Sequence, residues 1–316
     1  MSTFVLMELC KQSGVKNVIY QLLAPNITIN LDEVEENRSY AVVIDKGIRY
    51  CLTGNPGIYD EEAPYVLLTD RTPTKQKLID NDIRQRKWIK HPNQIEASPD
   101  DVINSWENRF HFKLEENEEN PGLRRPQLSA LHALLSHMLA PKEAATVVLP
   151  TGTGKTETML SALVAGRCNR VLVTVPTNAL RGQLFNKFKT LGVLKTPKFE
   201  IVDKEALYPI VGMITSAFEG ADQLKSFIEQ CNVVITTMQI IDSAPEEQQN
   251  VYVSSFSNVF VDEAHHIVAT SGRKFSDRFP RHQLVQFTAT PFRNDGQRLD
   301  GKIIFNYPLR QAQKDG

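Results

Sequence analysis

Leu149-Pro150-Thr151-Gly152-Thr153-Gly154-Lys155-Thr156 carries the most specific chemistry in the chain. An apolar run, Thr146 to Leu149, breaks into a glycine-bearing turn, and a helical stretch follows from Lys155 to Gly166. A strand, turn and helix in that order aim backbone N–H groups and a helix N-terminus at one point, which is what an anion requires. Gly152 and Gly154 let the backbone approach phosphate oxygens, Lys155 reaches β- and γ-phosphates, and the Thr156 hydroxyl can ligate Mg²⁺. The strict GxxxxGK[ST] pattern asks for glycine where Leu149 stands, while its inner part is intact.

A second cluster lies about a hundred residues downstream, where the apolar run Val259-Phe260-Val261 ends in Asp262-Glu263-Ala264-His265. Metal-assisted phosphoryl transfer needs one carboxylate to hold Mg²⁺ and another to orient and deprotonate the attacking water. Adjacent Asp and Glu at a strand terminus can divide that work. Pro176-Thr177 opens a further helix whose first N–H groups and hydroxyl can take a phosphate, with Arg181 one turn on; Thr177 as a plain helix cap is compatible with this. Thr288-Ala289-Thr290 supplies two hydroxyls after another apolar strand.

The elements that must position these residues alternate between strand and helix patterns after residue 122. Short apolar runs occur at 146–149, 170–174, 232–236, 258–261 and 284–287, and Pro126 to Leu139 is helical, with Leu128, Leu131, Leu135 and Leu139 on one face. The pattern predicts a mostly parallel sheet between helices, with ligands outside the carboxyl ends of its strands. Ahead of it a smaller unit of mixed α+β type is expected. Ser39 to Ile44 and Ile48 to Thr53 flank Asp45-Lys46-Gly47 as a hairpin, and Asn55-Pro56-Gly57 is a further turn. Thr74 to Ile89 has helical spacing, with Lys75, Lys77, Arg84, Arg86, Lys87 and Lys90 around Trp88. That stretch reads either as a nucleic-acid contact with the indole stacked on a base or as a solvated helix face over one buried Trp. The acidic segment Glu115 to Gly122 has linker composition, which puts the boundary between units 1–118 and 119–316.

Composition sets outer bounds. With 316 residues, 41% hydrophobic, the chain can bury a full core, and a formal net charge of −1 requires any nucleic-acid contact to come from a local patch. Cys10, Cys51, Cys168 and Cys231 are widely separated, which indicates neither a zinc nor a disulfide framework and fits a reduced cytoplasmic setting. His265-His266 has no third ligand in evidence. No apolar run is long enough for a membrane span.

Together, Thr151 to Thr156, Asp262 to His265 and Thr288-Ala289-Thr290-Pro291 resemble motifs I, II and III of a superfamily 2 helicase or translocase with a DEAH box. The resemblance covers residues 123 to 310 and implies a RecA-like P-loop NTPase domain that uses ATP and Mg²⁺. It implies that Thr151 to Thr156 bind ATP, with Lys155, Asp262 and Glu263 catalytic, Asp262 and Thr156 on Mg²⁺ and Glu263 as general base. Leu123 to Gln127 is similar to the adenine-reading Q motif, which implies stacking by Arg124 and base-edge contact by Gln127. Val175 to Gln183 and Thr236 to Gln239 are similar to motifs Ia and Ib, which implies nucleic-acid contacts from Pro176, Thr177, Arg181, Gly182, Thr236, Thr237 and Gln239. His265, Thr288 and Thr290 are implied to relay the nucleotide state to the strand.

The TAT-Pro-Phe-Arg form is similar to DNA-directed restriction and repair translocases, which implies DNA as partner, a prokaryotic defence or repair setting, and a nuclease or effector in another chain. An RNA-remodelling ATPase and a nucleotide-gated, non-catalytic DNA-binding subunit are the alternatives. The family's core has two RecA-like domains, and the sequence stops at Gly316 without a second. The expectation is a fragment, or a domain completed by another chain, that hydrolyses ATP very slowly alone, since an arginine finger supplies about 10³ to 10⁵ in rate.

Overall fold

The computed structural model describes residues 2–94, 96–140, 142–264, 277–290 and 301–314. They form two units, one made of Met1–Lys11 with Leu22–Glu96 and the other of Gln12–Gln21 with Ala97–Gly316.

The larger unit is built on a nine-stranded sheet. Its seven parallel strands lie in the order β16 (Lys302–Asn306), β10 (Ala145–Val148), β15 (Leu284–Thr288), β14 (Asn258–Val261), β11 (Val171–Val175), β13 (Val233–Thr237) and β12 (Ile210–Met213). The runs at β10, β11, β13, β14 and β15 are where the apolar pattern puts them. They read as continuous Val, Ile and Thr because helices cover both faces of such a sheet. Phe260 and Phe287 pack edge to face at 5.5 Å in its centre, each fully buried. Burying one such ring stabilises the fold by about 2 kcal/mol.

Four helices hold the candidate site residues: α3 (Arg125–Leu139), α4 (Lys155–Ala165), α5 (Asn178–Thr190) and α7 (Met238–Ser243). Helix α3 starts with Pro126 in its first turn, and buries Gln127, Ala130, Leu131 and Leu134. The buried stripe is thus rotated from the leucine face expected, and Leu139 is exposed.

The unit boundary also differs from the expected 118/119 division. The acidic segment is pinned within the larger unit, where Glu115 N bonds Leu123 O, and Glu116 N bonds Asn120 O. A Cβ at Gly122 would meet the backbone of Leu114 and Glu115 within 2.7 Å, so this glycine permits a tight closure. Residues 97–114 join the same unit through His111 N to Ile201 O, Trp106 Nε1 to Leu207 O, and Asn232 Nδ2 to Pro99 O. Residues from the chain start join it as well: β3 (Val18–Ala24) pairs antiparallel to β12 over Val18 to Gln21, and β2 (Leu9–Ser13) forms the edge beyond.

The smaller unit holds a five-stranded sheet in the order β5 (Glu33–Glu36), β6 (Tyr40–Asp45), β7 (Ile48–Thr53), β8 (Tyr65–Thr69) and β9 (Gln85–Lys90). The expected β6–β7 hairpin forms with full register, and Lys46 (φ 51°) and Gly47 (φ 76°) supply the left-handed pair its two-residue turn needs. The helix expected over Thr74 to Ile89 does not form as one element. Only Lys75–Ile79 is helical (α1), the chain turns at Asn81 (φ 53°), and the rest is edge strand β9. Trp88 is buried, with its Nε1 donating to Met7 O, so no indole is offered to a base.

Candidate nucleotide and nucleic-acid site

Strand β10 delivers the chain to the phosphate loop, and β15 locks its exit because Leu149 N donates to Thr288 O at 2.9 Å. Gly152 (φ 85°) and Gly154 (φ 90°) hold conformations that favour glycine. Gly154 has a second constraint: a Cβ there would lie 1.8 Å from Gln127 Nε2. Thr153 closes the turn, its hydroxyl donating to Pro150 O at 2.6 Å, and α4 begins at Lys155. The exposed or half-buried Thr151 to Thr156 therefore surround the first turn of α4, where unpaired N–H groups favour an anion.

Asp262 and Glu263 follow β14 directly, and Asp262 N is held by Thr174 O at 2.9 Å. Lys155 Nζ donates to Glu263 Oε1 at 2.7 Å, with both side chains largely buried. Glu263 sits at φ 50°, a left-handed backbone unusual for a side-chain-bearing residue and a form of strain found at functional sites. Asp262 is buried, and its Oδ1 has no hydrogen-bond partner among the described residues. Burial, with Glu263 next to it, pushes the Asp262 carboxyl up to about 6, and Lys155 offsets part of that. A buried carboxylate oxygen lacking a donor suits a hard cation, and Thr156 adds a hydroxyl at the loop. These residues fit Mg²⁺.

Arg124 and Gln127 lie beside the same loop. Arg124 Nη1 donates to Gly152 O at 3.2 Å, Gln127 Oε1 accepts from Arg124 N at 2.7 Å, and Gln127 Nε2 reaches Gly154 O at 3.5 Å. Gln127 is buried and braces the loop and the start of α3. That role was not visible in the sequence.

Around motif III, Thr288 is buried, its hydroxyl donating to Thr290 O at 2.8 Å and accepting from Thr290 N at 3.3 Å. The two threonines thus form a closed turn at the end of β15, and Thr290 is exposed. His265 lies outside the described residues.

The residues expected to contact nucleic acid divide into two sets. Thr177 and Gln239 are exposed, Pro176 and Gly182 are half-buried, and space is open above Gly182. Thr177 also caps α5 by accepting from Leu180 N at 3.3 Å. Arg181 and Thr236 instead turn inward onto one acceptor: Arg181 Nη1 donates to Ile214 O at 3.3 Å and the Thr236 hydroxyl to the same oxygen at 3.2 Å. Both are buried, as is Thr237, so none of the three offers its side chain to a backbone running over the surface. The reason is helical phase, since Arg181 sits four residues after the Thr177 cap on the face of α5 that packs on the sheet. Burial lowers its pKa, and no acidic partner offsets this among the described residues.

Sequence reasoning passed over Glu115, Tyr307 and Gln311, which line a cavity of about 680 Å³ with Arg124 and Thr153. Motif spacing gives no signal for them.

A mostly parallel α/β sheet with a phosphate loop after one strand and paired carboxylates after another defines a RecA-like P-loop nucleotide-binding fold. The chain belongs to the family described as "Type III restriction enzyme, res subunit", whose match spans residues 120–293, more than half of it. Among solved structures it is similar to a nuclease-deletion mutant of the Type ISP restriction-modification enzyme LlaGI in complex with a DNA substrate mimic, at 21% identity and TM-score 0.44, covering 61% of this chain and 20% of that one. It is also similar to the Hef helicase domain of Pyrococcus furiosus, at 18% identity and TM-score 0.35 over 51% of this chain and 32% of that one. T4 UvsW gives 16% identity and TM-score 0.37 over 62% and 35%. The chain thus spans about a third or less of the length of these structures. A search of curated proteins gave no match. No helix among the described residues is long and apolar enough to cross a membrane.

Proposed function

We propose that this chain carries the nucleotide-binding motor domain of an ATP-dependent DNA translocase or helicase of the restriction or repair kind. The observation that supports this most directly is the Lys155–Glu263 ion pair beside the buried Asp262, formed across two strands of one parallel sheet. In this reading Lys155 and the first turn of α4 hold the β- and γ-phosphates, and Thr156 and Asp262 hold Mg²⁺, which when bound neutralises phosphate charge. Glu263 leaves Lys155 as the phosphates arrive and becomes free to take a proton from the attacking water. Thr288 and Thr290, with His265, link this site to the strand path over Thr177, Gly182 and Gln239. A nuclease or other effector chain completes the assembly.

The test is ATP hydrolysis by the full-length protein with duplex DNA, single-stranded DNA or RNA added, and in the presence of Mg²⁺. Stimulation by DNA above RNA supports the reading. Stimulation by RNA alone moves the substrate class, and ATP binding with no hydrolysis under any condition makes the domain a nucleotide sensor.

A further inference from the structure

We infer that the smaller unit carries a nucleic-acid contact of its own: the edge strand β9, through Arg84, Arg86 and Lys87, lies along the phosphate backbone of duplex DNA and reads no base. The inference rests on the reading of the larger unit as a DNA motor, and adds to it a surface outside the motor motifs.

Several other cations of the smaller unit are already engaged. Arg49 holds Glu35 at 3.0 Å and Asp60 at 2.7 Å, Arg71 holds Asp70 at 3.3 Å and Asp82 at 3.4 Å, and Lys11 holds Glu96 at 2.7 Å. Lys75 donates to Asp32 O and Lys77 to Thr72 O. The pairing stops at the last strand. Arg84, Arg86 and Lys87 are exposed, and none of their side chains has an acidic partner among the described residues. Asp82 precedes Arg84 by two positions, and Asp70 accepts from Arg84 N at 3.0 Å, but both carboxylates turn to Arg71.

The opposite edge of the same sheet is acidic. Strand β5 carries Glu33, Glu35 and Glu36, of which Glu35 takes Arg49, and Glu36 accepts from Lys75 N at 2.6 Å. Four strand spacings, about 19 Å, separate the two edges, whereas salt screens charges over about 8 Å at physiological strength. The acids therefore leave the positive potential along β9 standing.

The shape of the edge selects its ligand. Its register with β8 shifts twice, between Val66 and Leu67 and between Leu68 and Thr69, so Arg86 and Ile89 pair with no residue of β8. Such bulges spoil the regular ladder that an added strand requires, which disfavours a peptide or the acidic β5 edge of a second copy. They also protect the edge by themselves, while three like charges within four residues repel one another until a polyanion neutralises them. Side-chain contact to a phosphate backbone needs no ladder. Arg84 to Lys87 span about 10 Å of extended chain, over which one strand of a duplex presents about three phosphates. The nearby rings are withdrawn: Trp88 is buried with its Nε1 on Met7 O, and Tyr59 lies under the Lys90 ammonium at 4.8 Å. Cations without a stacking platform favour the partner of higher charge density, which is duplex over single strand.

Binding of the full-length protein to duplex DNA, single-stranded DNA and duplex RNA, each titrated from about 50 to 200 mM salt, tests this. In the triple substitution Arg84→Gln, Arg86→Gln and Lys87→Gln, the slope of log affinity against log salt for duplex DNA is expected to become shallower by about 2 to 3 units. Over that range the variant should then lose about 15- to 60-fold less affinity than the unmodified protein. Arg84→Lys with Arg86→Lys is expected to keep the slope, because charge is what the stripe supplies. Arg38→Gln, an exposed cation in the turn between β5 and β6, should leave it unchanged. Unaltered thermal unfolding shows each variant folded. An unaltered duplex-DNA slope in the triple variant overturns the inference, as does a change confined to RNA. Sedimentation that shows low-salt self-association, lost in the triple variant while DNA binding stays, assigns the edge to a second copy and overturns it too. If Thr177→Val and Gln239→Ala weaken DNA binding and the triple variant does not, the motor reading stands and the stripe falls. If the unmodified protein binds no DNA, both fall.

Discussion

Lys155 Nζ and Glu263 Oε1 stand 2.7 Å apart across 108 positions of sequence. Each occupies the other at the proposed nucleotide site, where that reading needs both. Glu263→Gln removes the charge while keeping the shape and a hydrogen-bonding group. The expected outcome is ATP binding as tight as before or tighter, because Lys155 no longer leaves an ion pair to reach phosphate, and DNA-stimulated hydrolysis reduced about 10²- to 10⁴-fold. Single-turnover hydrolysis beside calorimetric binding separates the two effects. Unaltered turnover removes Glu263 as the base.

The converse change, Lys155→Ala, leaves Asp262 and Glu263 adjacent and uncompensated in a largely buried place. Loss of one partner of such a pair costs about 2 kcal/mol or more. Thermal unfolding without nucleotide is expected to move down by a few degrees, and ATP-induced stabilisation to vanish. An unfolding temperature equal to that of the unmodified chain means that the pair contributes nothing to the empty state.

Asp262 gives stability a pH dependence of definite sign. Its carboxyl titrates near 6 in the folded chain and near 4 when unfolded. The folded state therefore holds the proton more tightly, and the stabilisation this provides is complete below about pH 4 and is lost as pH rises through about 6. Asp262→Asn should thus raise the unfolding temperature at pH 8, by the equivalent of about 2 to 3 kcal/mol, and leave it nearly unchanged at pH 4. Denaturation of both proteins across that range without Mg²⁺ checks this. An equal shift at both pH values points to packing in place of ionisation.

Much of the site was legible in the sequence because it stands where parallel strands end. Val-Leu-Val-Thr-Val, Val-Val-Ile-Thr-Thr and Val-Phe-Val are buried on both faces, and the polar residues that follow each are forced to the sheet's carboxyl edge. Strand β12, Ile-Val-Gly-Met, is short and broken by glycine, so it gave no comparable run. The recruitment of residues 18–21 to pair with it is a long-range event without a local signature. The stretch at 85–90 misled in another way: its basic residues fit a helical period, but Trp88 is drawn into a core with Leu67 and Leu78 and pulls the segment into the sheet as an edge strand. The inward turn of Gln127 and Arg181 is likewise invisible to motif spacing, which gives residue type and position but not the face on which packing places them.

Trp88 allows those two readings of its segment to be separated by experiment. It is buried in the core of the smaller unit. Trp88→Ala is expected to cost about 3 to 5 kcal/mol by leaving a cavity. Trp88→Phe, which keeps most of the volume, should leave DNA affinity unchanged at any salt concentration. A selective loss of single-strand affinity in the folded Phe variant restores the stacking role.

Arg181 poses the sharpest test of how the nucleic-acid surface is drawn. Its guanidinium donates to Ile214 O, its Nε finds no partner among the described residues, and its burial disfavours the charge. A phosphate contact through this side chain would require it to leave that pocket, whereas Thr177 and Gln239 are exposed where they stand. Replacing a poorly paired buried charge by an apolar side chain of similar length is often neutral or stabilising. Arg181→Met should therefore leave the unfolding temperature equal or higher, and DNA binding measured from about 50 to 200 mM salt should keep its slope, since no phosphate-bound cation has been removed. Gln239→Ala and Thr177→Val should weaken DNA binding at every salt concentration. A slope that falls by about one unit in Arg181→Met means that the arginine does swing out to a phosphate, and that its inward position belongs to the DNA-free state.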